Sequence, residues 1–573
     1  MKKIVFVLSS VIATFLNAQE PTFEWARTMG GVLSDLGNSL VVDGEGNIYA
    51  AGYYLSETID LNPDPDATFN LSSQGGSDIY ISKLDQDGNL VWAKSIGGVG
   101  GDYVSSITLD NAGNILLAGS FSETVDFNPD VSATAYLSSL GTIDMFLLKL
   151  DMDGNFIWVK GIGGAENDEI TAIKLDESGN IYLTGYFRNT VDFDPNEGEE
   201  ILSSIGEEDI FIAKLDADGN LVWVNNLTGA GRDFSQSITI DDSGFIYIAG
   251  LFELTVDFNP LPNETNPLTS SGLKDIFILK LDTQGNFLWV KGFGNFENDF
   301  SNDLTIDSFK NIYLTGSFKG IVDFNPNEEE FNGTSLGDRD IFILKLNNEG
   351  NFQWVKTIGG PAFDDMSSII VDQFDHLYAT GRFIQTVDFD PNNDTHELTS
   401  IGLTDMFFLK LNSNGEFIWA KNVGGTDSYT FGKKITLDVS GNIYTTGVFS
   451  DTVDFDPYMG VSSSISLGNN DIFIHKMSQS WLNILENKTD CNFVIYPNPT
   501  HDILKIEINS NIWNLEDKNT QIKLANSLGQ VLISKSILSK NLQLDTKNLT
   551  GGVYFLKIVN DNKTIKTQKI IKQ

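Results

Sequence analysis

Ten residues past each of six tryptophans stand Asp35, Asp102, Asp168, Asp233, Asp299 and Asp364, and Tyr429 takes the seventh place. Carboxylates in irregular loops can ligate Ca²⁺, which takes about six to eight oxygens, or can pair as acid and base on a glycosidic bond. An Asp just past Gly-Gly also accepts bonds from nearby backbone N–H groups and fixes a turn. A residue repeated in almost every unit is what architecture demands, whereas a binding site breaks symmetry. The departures Arg232, Arg382, His396 and Tyr429 are therefore the residues to examine for a one-sided site. A second acidic series, Asp60, Asp126, Asp192, Asp257, Asp323, Asp388 and Asp454, opens Asp-Phe-Asp/Asn-Pro boxes and shares both readings. The Asp-x-Asp-Gly strings at Asp85, Asp151 and Asp216 lack the other ligands of a calcium loop and read as hairpin turns. The four histidines are scattered, and no Ser/His/Asp ordering, HExxH or Gly-rich phosphate loop is present.

What positions these residues is a repeat. The tryptophans Trp25, Trp92, Trp158, Trp223, Trp289, Trp354 and Trp419 are spaced 67, 66, 65, 66, 65 and 65 apart. A fixed period of this size means one supersecondary unit stacked many times. Each unit holds four short β-branched and aromatic runs bounded by Gly, Asn and Asp, as in Ile170–Leu175, Ile181–Gly185, Asp209–Leu215 and Leu221–Val224. Seven four-stranded units predict an all-β, seven-bladed β-propeller over residues 20–478, since ring closure hides the sheet edges. The last unit lacks its fourth strand, while Phe23–Gly30 is a fourth strand with no unit before it. The N-terminal strand is expected to dock beside Asp471–Met477 and close the ring. The repeat tryptophans read as packing anchors. The crossings that carry the Asp row and the long loops that carry the boxes fall on one face, the better place for a ligand.

These units resemble the SBBP-type β-propeller repeat. The pattern stands here as Trp92, Gly97-Gly98, Asp102 and Asp110-Asn-Ala-Gly-Asn-Ile-Leu-Leu-Ala-Gly119. The resemblance implies a fold and an extracellular setting, with no shared chemistry.

Composition narrows the partners. The chain of 573 residues has a net charge of −41; its last 83 residues carry 11 lysines against 6 acids, leaving −46 on residues 1–490. Nucleic acid and anionic lipid both need a basic surface, so neither is expected. Residues 1–18 read as a signal peptide: Lys2 and Lys3, an apolar run from Ile4 to Phe15, and cleavage between Ala18 and Gln19. No later segment is apolar for long enough to span a bilayer as a helix. Cys491 is the only cysteine, so no internal disulfide is expected. No cofactor is expected beyond Ca²⁺ on the acidic loops.

After a linker at residues 479–490, residues 491–573 alternate apolar and polar positions between Asn, Gly and Asp turns, which predicts a small β-sandwich. The tail resembles the C-terminal sorting domain of the type IX secretion system of Bacteroidota. The carrying residues are Tyr496-Pro497-Asn498-Pro499, Gly529 in Leu-Gly-Gln, Gly552 and Tyr554 in Gly-Val-Tyr-Phe-Leu-Lys-Ile, and the basic terminus. The resemblance implies the type IX machinery as a partner and release to the medium or the outer-membrane surface. The expected function is a non-enzymatic module that binds an extracellular protein or glycan; the alternative is a polysaccharide hydrolase or lyase on the same scaffold.

Overall fold

The computed structural model describes residues 20–479, except 131, 197, 262, 263, 326–329 and 393, and most strand residues between 492 and 572. The signal segment with Ala18 and Gln19, the linker from residue 480, Pro497–Pro499 and Gly529 lie outside the described residues. The chain divides into two compact units, Met1–Gln479 and Ser480–Gln573. Described elements are all strands, and no helix is long and apolar enough to cross a membrane.

The first compact unit contains seven antiparallel four-stranded repeats. In the first, Asp35–Val42, Ile48–Tyr54, Asp78–Leu84 and Leu90–Gly98 pair in that order. Each repeat's first strand packs on the next one's: Asp35–Val42, Tyr103–Leu109, Glu169–Leu175, Phe234–Ile240, Phe300–Ile306, Asp365–Val371 and Thr430–Leu437. The circuit returns to its start, because Thr430–Leu437 packs on Asp35–Val42.

The seventh repeat takes its fourth strand from the other end of the chain. Thr22–Gly31 runs antiparallel to Asp471–Ser478, from Thr22↔Ser478 to Met29↔Ile472. Past that pairing Gly30 and Gly31 pair with Asp60 and Ile59 of the first repeat. The same hand-over recurs where Gly97 and Gly98 pair with Asp126 and Val125, and Gly163 and Gly164 with Asp192 and Val191. Side chains are excluded there: a Cβ on Gly97 would sit 2.3 Å from the Asp78 carboxyl carbon, and one on Gly98 would sit 2.3 Å from the Thr124 carbonyl oxygen.

The repeat tryptophans are less buried than anchors inside a core. Trp419 is 2% exposed, while Trp25, Trp92, Trp158 and Trp223 are half-buried. The reason is their place at the boundary between repeats. Five of the seven lie edge-on to a tyrosine of their own repeat, as in Trp92–Tyr49 and Trp25–Tyr444. Six cover the hairpin glycine of the following repeat, as Trp92 covers Gly154 and Trp158 covers Gly219. The cores proper are filled by aliphatic residues and by the box phenylalanines, with Phe127, Phe193, Phe258, Phe324, Phe389 and Phe455 all fully buried.

Two first-hairpin turns carry Lys310 and Asp375 where other repeats have glycine. Both adopt left-handed backbone, with φ of 65° and 62°, so the turns keep their type and accept strain of about 1 kcal/mol. Their side chains bond to the preceding repeat in compensation. Lys310 Nζ lies 2.6 Å from Asp242 Oδ1, and Asp375 accepts from the Ser308 amide and hydroxyl at 3.0 and 3.1 Å.

The second compact unit has a three-stranded sheet (Asn492–Tyr496, Ile503–Asn509, Asn541–Asp545) and a four-stranded one (Val531–Ser536, Thr520–Asn526, Gly552–Asn560, Lys563–Lys572). Leu504, Ile506, Ile522, Leu524, Leu544, Tyr554, Leu556 and Ile570 form their common core. Tyr554 of the sorting pattern is thus a core residue.

Candidate binding face

The crossing aspartates do not line an open surface. Asp35, Asp102, Asp168, Asp233, Asp299 and Asp364 are all fully buried, which corrects their reading as binding candidates. Each carboxylate joins the start of its strand to the end of the next. Asp168 accepts from the Gly164 and Arg188 amides at 2.8 and 3.0 Å; Asp364 accepts from Gly360 and Ile384 at 2.8 and 3.1 Å. Asp35 accepts from the Gly31 amide and the Ser56 hydroxyl. These oxygens do not converge on a common point for Ca²⁺, and among the described residues no group of three or more His, Cys, Asp or Glu is placed to hold a metal ion. The box aspartates staple their own loops: Asp388 Oδ1 accepts from the Asp390 and His396 amides at 3.1 and 2.8 Å.

Tyr429 does not stand in the aspartate slot, as its count from Trp419 suggests. The strand register aligns Gly432 with Gly37 and Met366, which puts Thr430 in the place of Asp35 and Asp364. The crossing before it holds one extra residue, absorbed where Asp427 turns left-handed at φ 61°. Tyr429 therefore aligns with Phe363 and Arg232, the residues that precede the buried aspartates.

Sequence reasoning missed a second buried row. Asp78, Asp144, Asp340, Asp405 and Asp471 open the third strands, Asp209 and Asp275 lie at the equivalent position inside longer ones, and all seven are at most 3% exposed. Each accepts the amide four residues earlier, as Asp340 does from Leu336 at 2.8 Å. The signal was in the text, an Asp at the head of every third strand, but only the fold shows that it faces the Gly-Gly hand-over. Burial drives both rows upward in pKa: Asp78, Asp275 and Asp340 to about 6, Asp102, Asp168, Asp299 and Asp471 to about 7, and Asp233 to about 8. Raised carboxylate pKa values are a mark of catalytic acids, but here they accompany groups closed off from solvent and bonded to backbone.

Of the four asymmetric candidates, two meet. Arg382 Nη1 donates to the Tyr429 hydroxyl at 2.6 Å. The Arg382 guanidinium also stands over Phe363 and Phe431, with its carbon 4.9 and 4.6 Å from the ring centres. Arg339 extends the array over Phe300 at 4.2 Å, and Lys433 lies 4.7 Å from the centre of Phe431. Such cation–π stacking holds a guanidinium without neutralising it. Asp365, the register partner of Arg382, is engaged by Asn302 Nδ2 at 2.8 Å. Arg382 Nε is buried and makes no hydrogen bond among the described residues. The other two candidates stand apart. Arg232 pairs with Glu207 and Glu208, and His396 lies against Phe417 with Nε2 3.3 Å from the Ala420 carbonyl.

The loops of this face also expose aliphatic side chains just before the third strands. Leu140 is 76% exposed and Leu336 75%, and Ile205, Ile401 and Leu467 are similarly exposed at the equivalent position. Their amides hold the buried aspartates, so the backbone is fixed while the side chains point outward.

Residues 494–573 match the family described as a secretion system C-terminal sorting domain. The chain thus carries a type IX sorting tail and is directed to the cell surface or the medium. It is similar to the uncharacterized WD repeat-containing protein L264 of Acanthamoeba polyphaga mimivirus, 23% identical over 74% of this chain and 36% of that protein. It is also similar to the regulatory protein FlaEY of Caulobacter vibrioides, 25% identical over 38% of this chain and 22% of that one. The chain spans about a third or less of the length of these relatives. Among solved structures, PorZ, a surface component of the type IX secretion system of Porphyromonas gingivalis, aligns with 95% of this chain and all of its own at 11% identity and a TM-score of 0.17. A glycoside hydrolase family 32 enzyme of Bifidobacterium adolescentis aligns with 96% of this chain and 95% of its own at 9% identity and a TM-score of 0.23. At these scores neither structure bears on function.

Proposed function

We propose that this exported chain is a seven-bladed β-propeller of the SBBP-repeat kind, sealed by its first strand and working outside the cell as a non-enzymatic binding module. The circuit of first strands and the pairing of Thr22–Gly31 with Asp471–Ser478 support the ring. On this reading residues 1–18 are removed at the inner membrane, and residues 491–573 engage the type IX machinery. The partner is a protein or glycan that carries negative charge and docks on the long-loop face.

The observation that carries this reading is the array of Arg339, Arg382 and Lys433 with Phe300, Phe363, Tyr429 and Phe431. The fourth repeat holds one equivalent stack, Lys274 over Phe234. The stacks of Arg339 and Arg382 and the Arg382–Tyr429 bond belong to the fifth to seventh repeats, so the array breaks the symmetry that the buried aspartates keep. Three cations there are stacked on rings, in a body whose net charge is strongly negative, and a partly buried arginine with unused donors is the kind of group that anchors an interface. The exposed aliphatic residues on the same face offer apolar area beside it.

A glycan array and pull-downs from outer-surface extracts, run with the chain and with Arg382→Ala, test the reading. The expected result is a ligand retained by the parent chain and lost by the variant at unchanged melting temperature. Retention of every ligand by the variant would remove the cluster from the site. Ligand turnover by the parent chain would favour a hydrolase or lyase.

A further inference from the structure

The seven first strands enclose a cavity of about 210 Å³ on the axis of their circuit. The residue after the bulge lines it in six of the seven first strands, and in five repeats this residue is serine or alanine. The fifth and seventh repeats have Asp303 and Lys434 instead. Asp303 is saturated: Oδ1 accepts from the Ser237 hydroxyl at 2.9 Å, and Oδ2 from the Ser368 hydroxyl and Lys434 Nζ, both at 2.8 Å. Lys434 keeps 37% of its side chain accessible.

Two residues beyond the bulge position most repeats have threonine, as at Thr239 and Thr305, but the third has Lys174. The Lys174 side chain makes no hydrogen bond or ion pair among the described residues. It is exposed to solvent within the axial space that residues of all seven first strands line. Desolvation first, then the nearby Lys434 ammonium, hold its pKa below the ordinary lysine value, and Asp303 opposes them. The cavity thus holds two ammonium groups and one carboxylate that is already fully bonded. One positive charge is left without a partner, among hydroxyls that can donate.

We infer that the axial cavity binds one small oxyanion, held by Lys174 with Lys434 as the second charge and hydroxyls such as that of Thr239 as further donors. A phosphate or a small carboxylate satisfies this chemistry, since each offers several acceptor oxygens to ammonium and hydroxyl donors. An acidic exterior slows entry at low salt, but screening over about 8 Å at physiological ionic strength leaves the enclosed charge to act locally.

Isothermal titration of the full chain with inorganic phosphate, and separately with acetate, at matched ionic strength tests this. Saturable binding of either anion is expected, and which one binds identifies the class. Lys174→Met should weaken it about tenfold or more, the ordinary effect of losing one charge-assisted contact, while Lys174→Arg retains it. Because Lys174 pairs with no protein group, the Met variant should fold; Lys174→Gln provides a second neutral side chain if it does not. Absence of binding to the parent chain, or equal affinity in the neutral variants, would overturn the inference.

Discussion

Trp25, near the start of the described chain, is the register partner of Lys476 near the end of the seventh repeat. A bulge between Phe23 and Trp25 reproduces the one that follows Lys83↔Trp92 in the first repeat. Further contacts hold the strand in place. Lys421 Nζ bonds Glu20 at 2.8 Å, the Thr22 and Ser478 hydroxyls lie 2.7 Å apart, and the Tyr458 hydroxyl bonds the Pro21 carbonyl. Removing residues 20–31 would leave Asp471–Ser478 as a bare apolar edge. The truncated chain is expected to lose the calorimetric transition of the larger unit and to aggregate. Trp25→Ala should lower stability by about 3 kcal/mol in the same measurement.

The buried carboxylates set a pH dependence of definite sign. The pKa values of Asp78, Asp102 and Asp233 in the fold are raised from 3.8 to about 6, 7 and 8, so the folded state binds more protons than the unfolded one over that interval. The stability they contribute is complete below about pH 4 and declines as pH rises through 6 to 8. The melting temperature should be several degrees higher at pH 5 than at pH 8. Asp233→Asn, which replaces the most raised of these groups by a neutral one, should reduce the dependence. A melting temperature that rises from pH 5 to pH 8 would contradict the assignment.

The glycines of the second strands are required by contact. A Cβ on Gly316 would sit 1.8 Å from the Phe300 carbonyl oxygen, and one on Gly250 would sit 2.0 Å from that of Phe234. Gly316→Ala is expected to cost about 3 kcal/mol or more. Gly44→Ala, with nothing within 4 Å of the new carbon, should leave stability within about 0.5 kcal/mol. Thermal or urea unfolding of the pair checks both.

The two strained turns should respond differently to relief. Lys310→Gly removes left-handed strain of about 1 kcal/mol and a surface ion pair of comparable or smaller worth, so it should be nearly neutral. Asp375→Gly relieves the same strain but abandons both bonds to Ser308 and should destabilise.

Chelation should have no effect on the melt. The loop carboxylates that suggested Ca²⁺ accept backbone N–H groups instead, as Asp168 and Asp388 do. A fall in melting temperature on adding chelator, reversed by Ca²⁺, would show that a site exists.

The sequence by itself determined the period, the four strands of each repeat, and the unmatched strand at Phe23–Gly30 that corresponds to the strand missing after Met477. It also determined the sorting tail. All of these are encoded locally, by alternation within a strand, by glycines at turns and by motifs a few residues long. Which carboxylates are buried was legible only as a choice, because an Asp after Gly-Gly reads the same whether it faces a ligand or a neighbouring amide. The Thr430 slot was hidden because a one-residue insertion shifts a count but not a hydrogen-bond register. The meeting of Arg382 with Tyr429, and of Lys434 with Asp303, was decided only by tertiary structure. Those partners sit in different repeats, and sheet packing between repeats, rather than distance along the chain, fixes what lies beside them.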